Sequence, residues 1–135
     1  MTDRTDVNPD PDLKAGSAVE RALYAARVRI EPRVQASSLT KEIADGALVV
    51  DIRPEWQRVR DGDLDGALVI DRNVLEWRLD PTSRHRLAGI DDPSRRVVIV
   101  CDEGYASSLA ASALADLGLR NVTDLAGGYQ AWIRR

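Results

Sequence analysis

The sequence predicts an α/β fold: a mostly parallel sheet with helices on both of its faces. Two observations predict it. Short apolar runs, Ala47-Leu-Val-Val-Asp-Ile52, Ala67-Leu-Val-Ile70 and Arg96-Val-Val-Ile-Val100, recur along the chain and suit strands buried on both sides. Between and after them, apolar residues recur at helical spacing, as at Leu109, Ala113, Leu114 and Leu117. Strand and helix in alternation build parallel βαβ units. The length of 135 residues, with 44% hydrophobic and 30% charged residues, suits one globular domain.

Taken in order, residues 1–16 are polar, carry Pro9, Pro11 and Gly16, and read as a disordered lead-in. Residues 17–32 read as an amphipathic helix. Ser17 and Glu20 have capping-box spacing, and Val19, Leu23, Ala26 and Ile30 recur at helical intervals until Pro32. This helix either covers an apolar patch of the main domain, residues 33–135, or contacts a partner. Val34 is expected in a short first strand. Ser37 or Ser38 is expected to cap a helix through Ile43 and Ala44 that Gly46 ends. Residues 55–60 and 73–79 read as helical turns, Asn121-Val-Thr123 as a weak last strand and Tyr129–Ile133 as a closing helix. The arginine-rich stretch Arg72–Arg96, broken by Pro81, Gly89 and Pro93, reads as a solvated wrap along one side of the sheet.

Composition excludes several functions. Nineteen Lys and Arg against 22 Asp and Glu give a net charge of −3, without the basic surplus that nucleic acid or an anionic membrane demands. No apolar run approaches the roughly 18 residues of a membrane helix. Met1–Lys14 carries four aspartates and lacks the apolar core of a secretory signal. Cys101 is the single cysteine and His85 the single histidine, which leaves no internal disulfide and no Cys/His zinc site within one chain. A cytoplasmic address, where a lone thiol stays reduced, is expected.

The chemistry concentrates in Val97-Val-Ile-Val-Cys-Asp-Glu-Gly-Tyr-Ala-Ser-Ser-Leu-Ala-Ala111. A buried strand delivers Cys101 to its C-terminal end, where open α/β sheets place their ligand crevices. Gly104 lets the backbone curl, so that the loop of Asp102, Glu103, Gly104, Tyr105, Ala106 and Ser107 turns main-chain N–H groups inward as an anion-binding nest ahead of a helix. A thiol at the base of that nest is placed to act as a sulfur nucleophile. Ser107 or Ser108 either caps the helix or donates to the nest. Asp51 and Arg53 end the second strand on the same rim. Arg53 either supports the site and draws an anion, or forms a structural ion pair with Asp51 or Glu55.

Four segments in this order resemble the rhodanese family of single-domain sulfurtransferases, over about residues 33–135. Leu48-Val-Val-Asp-Ile-Arg-Pro-Glu-Trp56 is similar to the family's Asp-x-Arg-x-x-x-Glu region, one residue shorter. Asp61-Gly-Asp-Leu-Asp-Gly-Ala67 is similar to its Gly-His-Ile-x-Gly-Ala segment, with Asp63 where His is usual. Cys101-Asp-Glu-Gly-Tyr-Ala-Ser107 resembles the active-site loop, and Leu125-Ala-Gly-Gly-Tyr-Gln-Ala-Trp132 the closing Gly-Gly-x-x-x-Trp signature.

The resemblance implies a five-stranded parallel sheet and a Cys101 persulfide that carries sulfur from thiosulfate or another persulfide. The acceptor would be cyanide, a thiol, or a sulfur-carrier or acceptor protein. It implies no metal or organic cofactor. The sequence departs from the pattern at Ala106, a position often filled by Arg, and Asp102 and Glu103 follow the cysteine. Two carboxylates there are expected to repel a dianion and weaken thiosulfate turnover. A non-catalytic rhodanese-like binding or regulatory module is the alternative. A cysteine phosphatase needs Cys-x5-Arg, whereas the sixth position after Cys101 is Ser107.

Overall fold

The sheet forms where the apolar runs lie. In the computed structural model, which describes residues 16–135, β1 (Leu48–Asp51), β2 (Ala67–Val69), β3 (Val97–Val100) and β4 (Val122–Asp124) pair in the order β2-β1-β3-β4. All three pairings are parallel, with Asp51 opposite Val100 and Ile99 opposite Asp124. The C-terminal ends of β1, β3 and β4 therefore share one rim. Apart from Gly16, the lead-in expected over residues 1–16 lies outside the described residues.

The sheet has four strands where five were expected. Val34 makes a single parallel bridge to Leu125, with its N–H on the Asp124 carbonyl at 3.0 Å and its carbonyl accepting from Ala126 N at 2.8 Å. Pro32, two residues earlier, has no N–H to donate, and a 3₁₀ turn over Ala36–Ser38 carries the chain away two residues later. The pairing cannot propagate in either direction.

Around the sheet lie α1 (Ala18–Ile30), α2 (Leu39–Ala44), α3 (Glu55–Asp61), α4 (Leu75–Leu79), α5 (Ala106–Asp116) and α6 (Gly128–Ile133). Strand alternation divides the core in two. Val97, Ile99 and Cys101 join Ile30, Leu75, Leu79, Ala110, Ala111 and Leu114 on one face. Val98 and Val100 join Leu39, Leu64, Leu125 and Tyr129 on the other. Period two alone thus aims Cys101 at the face covered by α1 and α5.

Helix α1 opens with the capping box, in which Ser17 Oγ accepts from Glu20 N at 3.2 Å and Glu20 Oε1 from Ser17 N at 3.3 Å. It packs along α5 through buried Ala26 and Ile30, and Arg29 pairs with Asp116. Thr123 Oγ1 of β4 donates to the Ile30 carbonyl at 2.8 Å. Two expectations fail locally. Ser38 makes no side-chain cap, because the 3₁₀ turn runs directly into α2. The Arg72–Arg96 stretch is not wholly solvated: it opens with a 3₁₀ turn, Arg72–Val74, and α4, and it buries Leu75, Leu79 and Ile90. Among the described residues no helix is long and apolar enough to cross a membrane.

Leu114, fully buried where α5 meets the sheet, supports the helix that follows Cys101. Leu114→Ala is expected to lower unfolding free energy by about 2–5 kcal/mol, read from urea denaturation.

Candidate active site

Cys101 is the residue after β3, and the chain must turn there. Its carbonyl accepts from Tyr129 N at 2.8 Å and that of Asp102 from Gln130 N at 3.0 Å, so the first turn of α6 anchors the start of the loop. This contact explains the Gly-Gly pair. A Cβ on Gly128 would lie 2.6 Å from both the Cys101 and Asp102 carbonyl oxygens, and one on Gly104 would lie 2.7 Å from Gly127 N. Gly104, at φ +88°, then curls the backbone back over the sulfur.

The sulfur receives main-chain donors. Gly104 N–H donates to Cys101 Sγ at 3.1 Å and Ser107 N–H at 3.3 Å. Ser107 lies in the first turn of α5, where N–H groups have no partner within the helix. The expected serine cap is not made: Tyr105 is the N-cap residue, its side chain forms no cap bond to the helix, and both serines lie buried inside the helix. Instead, Ser107 Oγ sits 3.2 Å from the sulfur and donates to Asp124 Oδ2 at 2.7 Å, while Ser108 Oγ donates to the same oxygen at 2.8 Å.

Behind the loop lies a layer of charge that sequence reasoning missed. Arg33 Nε donates to Asp124 Oδ1 at 2.7 Å, and its Nη2 to Oδ2 at 3.1 Å. Arg27, 2% exposed, reaches in from α1; its Nε donates to Ser108 Oγ at 3.2 Å and its Nη2 to the Gly104 carbonyl at 2.8 Å. Its guanidinium also stands 5.3 Å from the centroid of the Tyr105 ring. Burial holds Arg27 below the usual guanidinium range and the charge of Arg33 pushes the same way, against the pull of Asp124. A signal for Arg27 was present in the sequence, because it occupies the same helical stripe as Leu23, Ala26 and Ile30.

Asp51 and Arg53 are buried together. Arg53 Nη2 donates to Asp51 Oδ2 at 2.8 Å and to the Gly62 carbonyl at 2.9 Å, and the guanidinium lies 3.7 Å from the Tyr129 ring centroid. The ring offsets the burial of Nη1, which has no hydrogen-bond partner. Arg53 ties the end of β1 to α6.

The acidic residues of the loop part ways. Asp102 turns aside, accepting from Gln130 Nε2 at 2.9 Å and from Arg60 Nη2 at 3.3 Å, whereas Glu103 is exposed. The repulsion expected from two carboxylates therefore falls mainly to Glu103, with that of Asp102 offset by Arg60 and Gln130. Cys101, 7% exposed, opens into a cavity of about 450 Å³ walled by Asp102, Glu103, Tyr105 and Ala106 on one side, and by Ile52, Arg53, Pro54, Gln57 and Arg72 on the other. Arg72, paired with Glu76 at 2.7 Å, is the partly exposed cation of that wall. A second cavity, of about 390 Å³ beside Trp77, is lined by Glu76, Asp80 and Asp116 and holds no sulfur.

A model of the rhodanese-like domain matches residues 35–135, three-quarters of the chain. The chain belongs to the rhodanese-like domain family. This rhodanese-like chain is 35% identical over 104 residues to the thiosulfate sulfurtransferase GlpE of Pseudomonas entomophila, covering 77% of this chain and 83% of that one. It is 32% identical over 89 residues to the GlpE of Shewanella oneidensis, covering 66% and 78%. Among solved structures, a Rhodopseudomonas palustris protein of unknown function, described as a possible tyrosine phosphatase, superposes with a TM-score of 0.77 at 30% identity over 88% of this chain and 91% of that one. The human single-domain sulfurtransferase TSTD1 gives 0.63 at 24% identity, covering 77% and 96%, and shares the fold.

The Arg60 guanidinium holds the Asp61 carboxyl below its ordinary value of 3.8, with Gln130 adding a second hydrogen bond. A carboxylate so depressed stabilises the rhodanese-like fold above its unfolded pKa, and loses that contribution as pH falls through the folded value. The slope of unfolding free energy against pH below about pH 4 is expected to be shallower in Asp61→Asn than in the wild type, read from urea melts across that range.

Proposed function

We propose that this chain is a sulfurtransferase of rhodanese type, working through a persulfide on Cys101. The observation that carries the reading is the sulfur itself: the one thiol of the chain stands at the foot of an open cavity and accepts two main-chain N–H bonds. The thiosulfate sulfurtransferase names of the curated relatives support it.

In the first half-reaction the Cys101 thiolate attacks the outer sulfur of the donor. For thiosulfate, a new S–S bond forms to Cys101 Sγ while the donor's own S–S bond breaks, and sulfite leaves with the electron pair. The Gly104 and Ser107 amides and the N-terminal turn of α5 face the sulfur that gains or loses charge. Once the thiol proton is gone, the Ser107 hydroxyl can reverse to donate to sulfur, since Asp124 keeps Ser108 and Arg33 as donors. In the second half-reaction an acceptor thiolate or cyanide attacks the outer sulfur, and the Cys101 thiolate departs.

Arg72 supplies positive charge on the cavity wall for an anionic donor, and Glu103 opposes it. Asp51 and Arg53 support the rim from beneath rather than touching the donor. The phosphatase description of the Rhodopseudomonas protein does not carry over. The Arg27 guanidinium stands behind the loop on the Gly104 carbonyl, and Ser107 holds the position of a phosphate-clamping arginine.

Incubation with thiosulfate or a low-molecular-weight persulfide is expected to add the mass of one sulfur atom to Cys101, and Cys101→Ser is expected to abolish both adduct and transfer to cyanide. An unloaded Cys101 under both donors would leave the binding-module reading in its place. Glu103→Gln is expected to lower KM for thiosulfate several-fold and Asp102→Asn to change it little, because only the Glu103 carboxylate is free to face the donor. Steady-state kinetics at low ionic strength checks the pair.

A further inference from the structure

Two guanidinium groups meet at one carbonyl. Arg27 Nη2 donates to the Gly104 oxygen at 2.8 Å and Arg33 Nη2 at 2.9 Å, and Ser108 Oγ also lies 3.2 Å from it. Both side chains are almost fully buried, at 2% exposure for Arg27 and 9% for the Arg33 side chain. They approach from residues that precede the matched domain, residues 35–135: Arg27 from α1 and Arg33 from the segment that follows it. The loop from Cys101 to Ser107 contains no cation of its own, with Ala106 where the family often places Arg.

We propose that Arg27 and Arg33 are positioning residues for the Cys101 loop, holding the Gly104–Tyr105 peptide so that the Gly104 and Ser107 amides stay on the sulfur. The peptide is planar and trans, so a carbonyl fixed toward the arginines sets the Tyr105 N–H on the opposite side. Gly104, at φ +88°, is the residue of this loop with the most backbone freedom, and a flip of its peptide would turn the negative end of the dipole toward an anionic sulfur. Arg33 fastens the same unit twice, because it also binds the Asp124 carboxylate on which Ser107 and Ser108 converge. Neither arginine touches the donor. They act through the backbone.

The test uses the full chain with Arg27→Lys, Arg33→Gln and Arg29→Ala. Arg29 lies on the same helix and pairs with Asp116, away from the loop, so its variant separates helix docking from loop positioning. Amide exchange at Gly104, Ser107 and the β3 strand is read by NMR, and persulfide formation on Cys101 with thiosulfate by single-turnover mass spectrometry. In Arg27→Lys and Arg33→Gln the two loop amides are expected to exchange at least about tenfold faster while β3 keeps its protection. Persulfide formation is expected to slow by about 10- to 100-fold at saturating thiosulfate with little change in the half-saturating concentration. Arg29→Ala is expected to match the wild type in both.

Wild-type exchange at Gly104 and Ser107 in both loop variants would overturn the proposal, as would equal acceleration in Arg29→Ala. So would loss of β3 protection in both loop variants, since the role would then be one of global stability. The rate measurement rests on the sulfur-transfer reading. A wild-type protein that forms no persulfide refutes that reading and leaves the exchange measurement to decide the positioning role.

Discussion

One buried carboxylate organises the site. Asp124, fully enclosed at the end of β4, accepts from Ser107, Ser108 and both nitrogens, Nε and Nη2, of one edge of the Arg33 guanidinium. An ion in that position is tolerable only when each lone pair is met, and the donors that meet it come from α5 and from the segment after α1. The sulfur loop inherits its shape from this arrangement. Its first turn hangs on α6 through the Cys101 and Asp102 carbonyls, and its last turn on Asp124 through the two serines. A cysteine loop without a cation of its own thus stands on a charged foundation.

The parallel sheet illustrates how far local pattern reaches. The runs at 47–52, 67–70 and 96–100 became β1, β2 and β3 because Val and Ile in short stretches between turn residues have few alternatives in a chain of this size. Cys101 at the end of β3, with Gly104 behind it, was legible for the same reason. Val34 shows where pattern stops, since strand length there depends on what Pro32 and the following 3₁₀ turn allow.

The charged layer as a unit was illegible for a different cause, although the stripe position of Arg27 hinted at its burial. Arg27, Arg33 and Asp124 lie far apart in sequence, and a surface arginine and a buried one look identical in a string of letters until the fold brings an acceptor within reach. Asp102 is the converse case. As a letter beside a nucleophilic cysteine it signals repulsion, but Gln130 and Arg60, on other elements, remove much of that effect. Ser107 and Ser108 fell between, since they lie only two and three residues past the N-cap Tyr105.

The depth of Cys101 has a consequence for the resting and loaded molecule. A side chain at 7% exposure lies below its own rim, which disfavours direct approach of a second copy's sulfur to bonding distance. A second sulfur attached to Sγ, as the proposed mechanism requires, would stand about 2 Å farther out. In the proposed mechanism the transferred sulfur would then lie nearer the mouth of the cavity, while the atom that carries it stays sheltered.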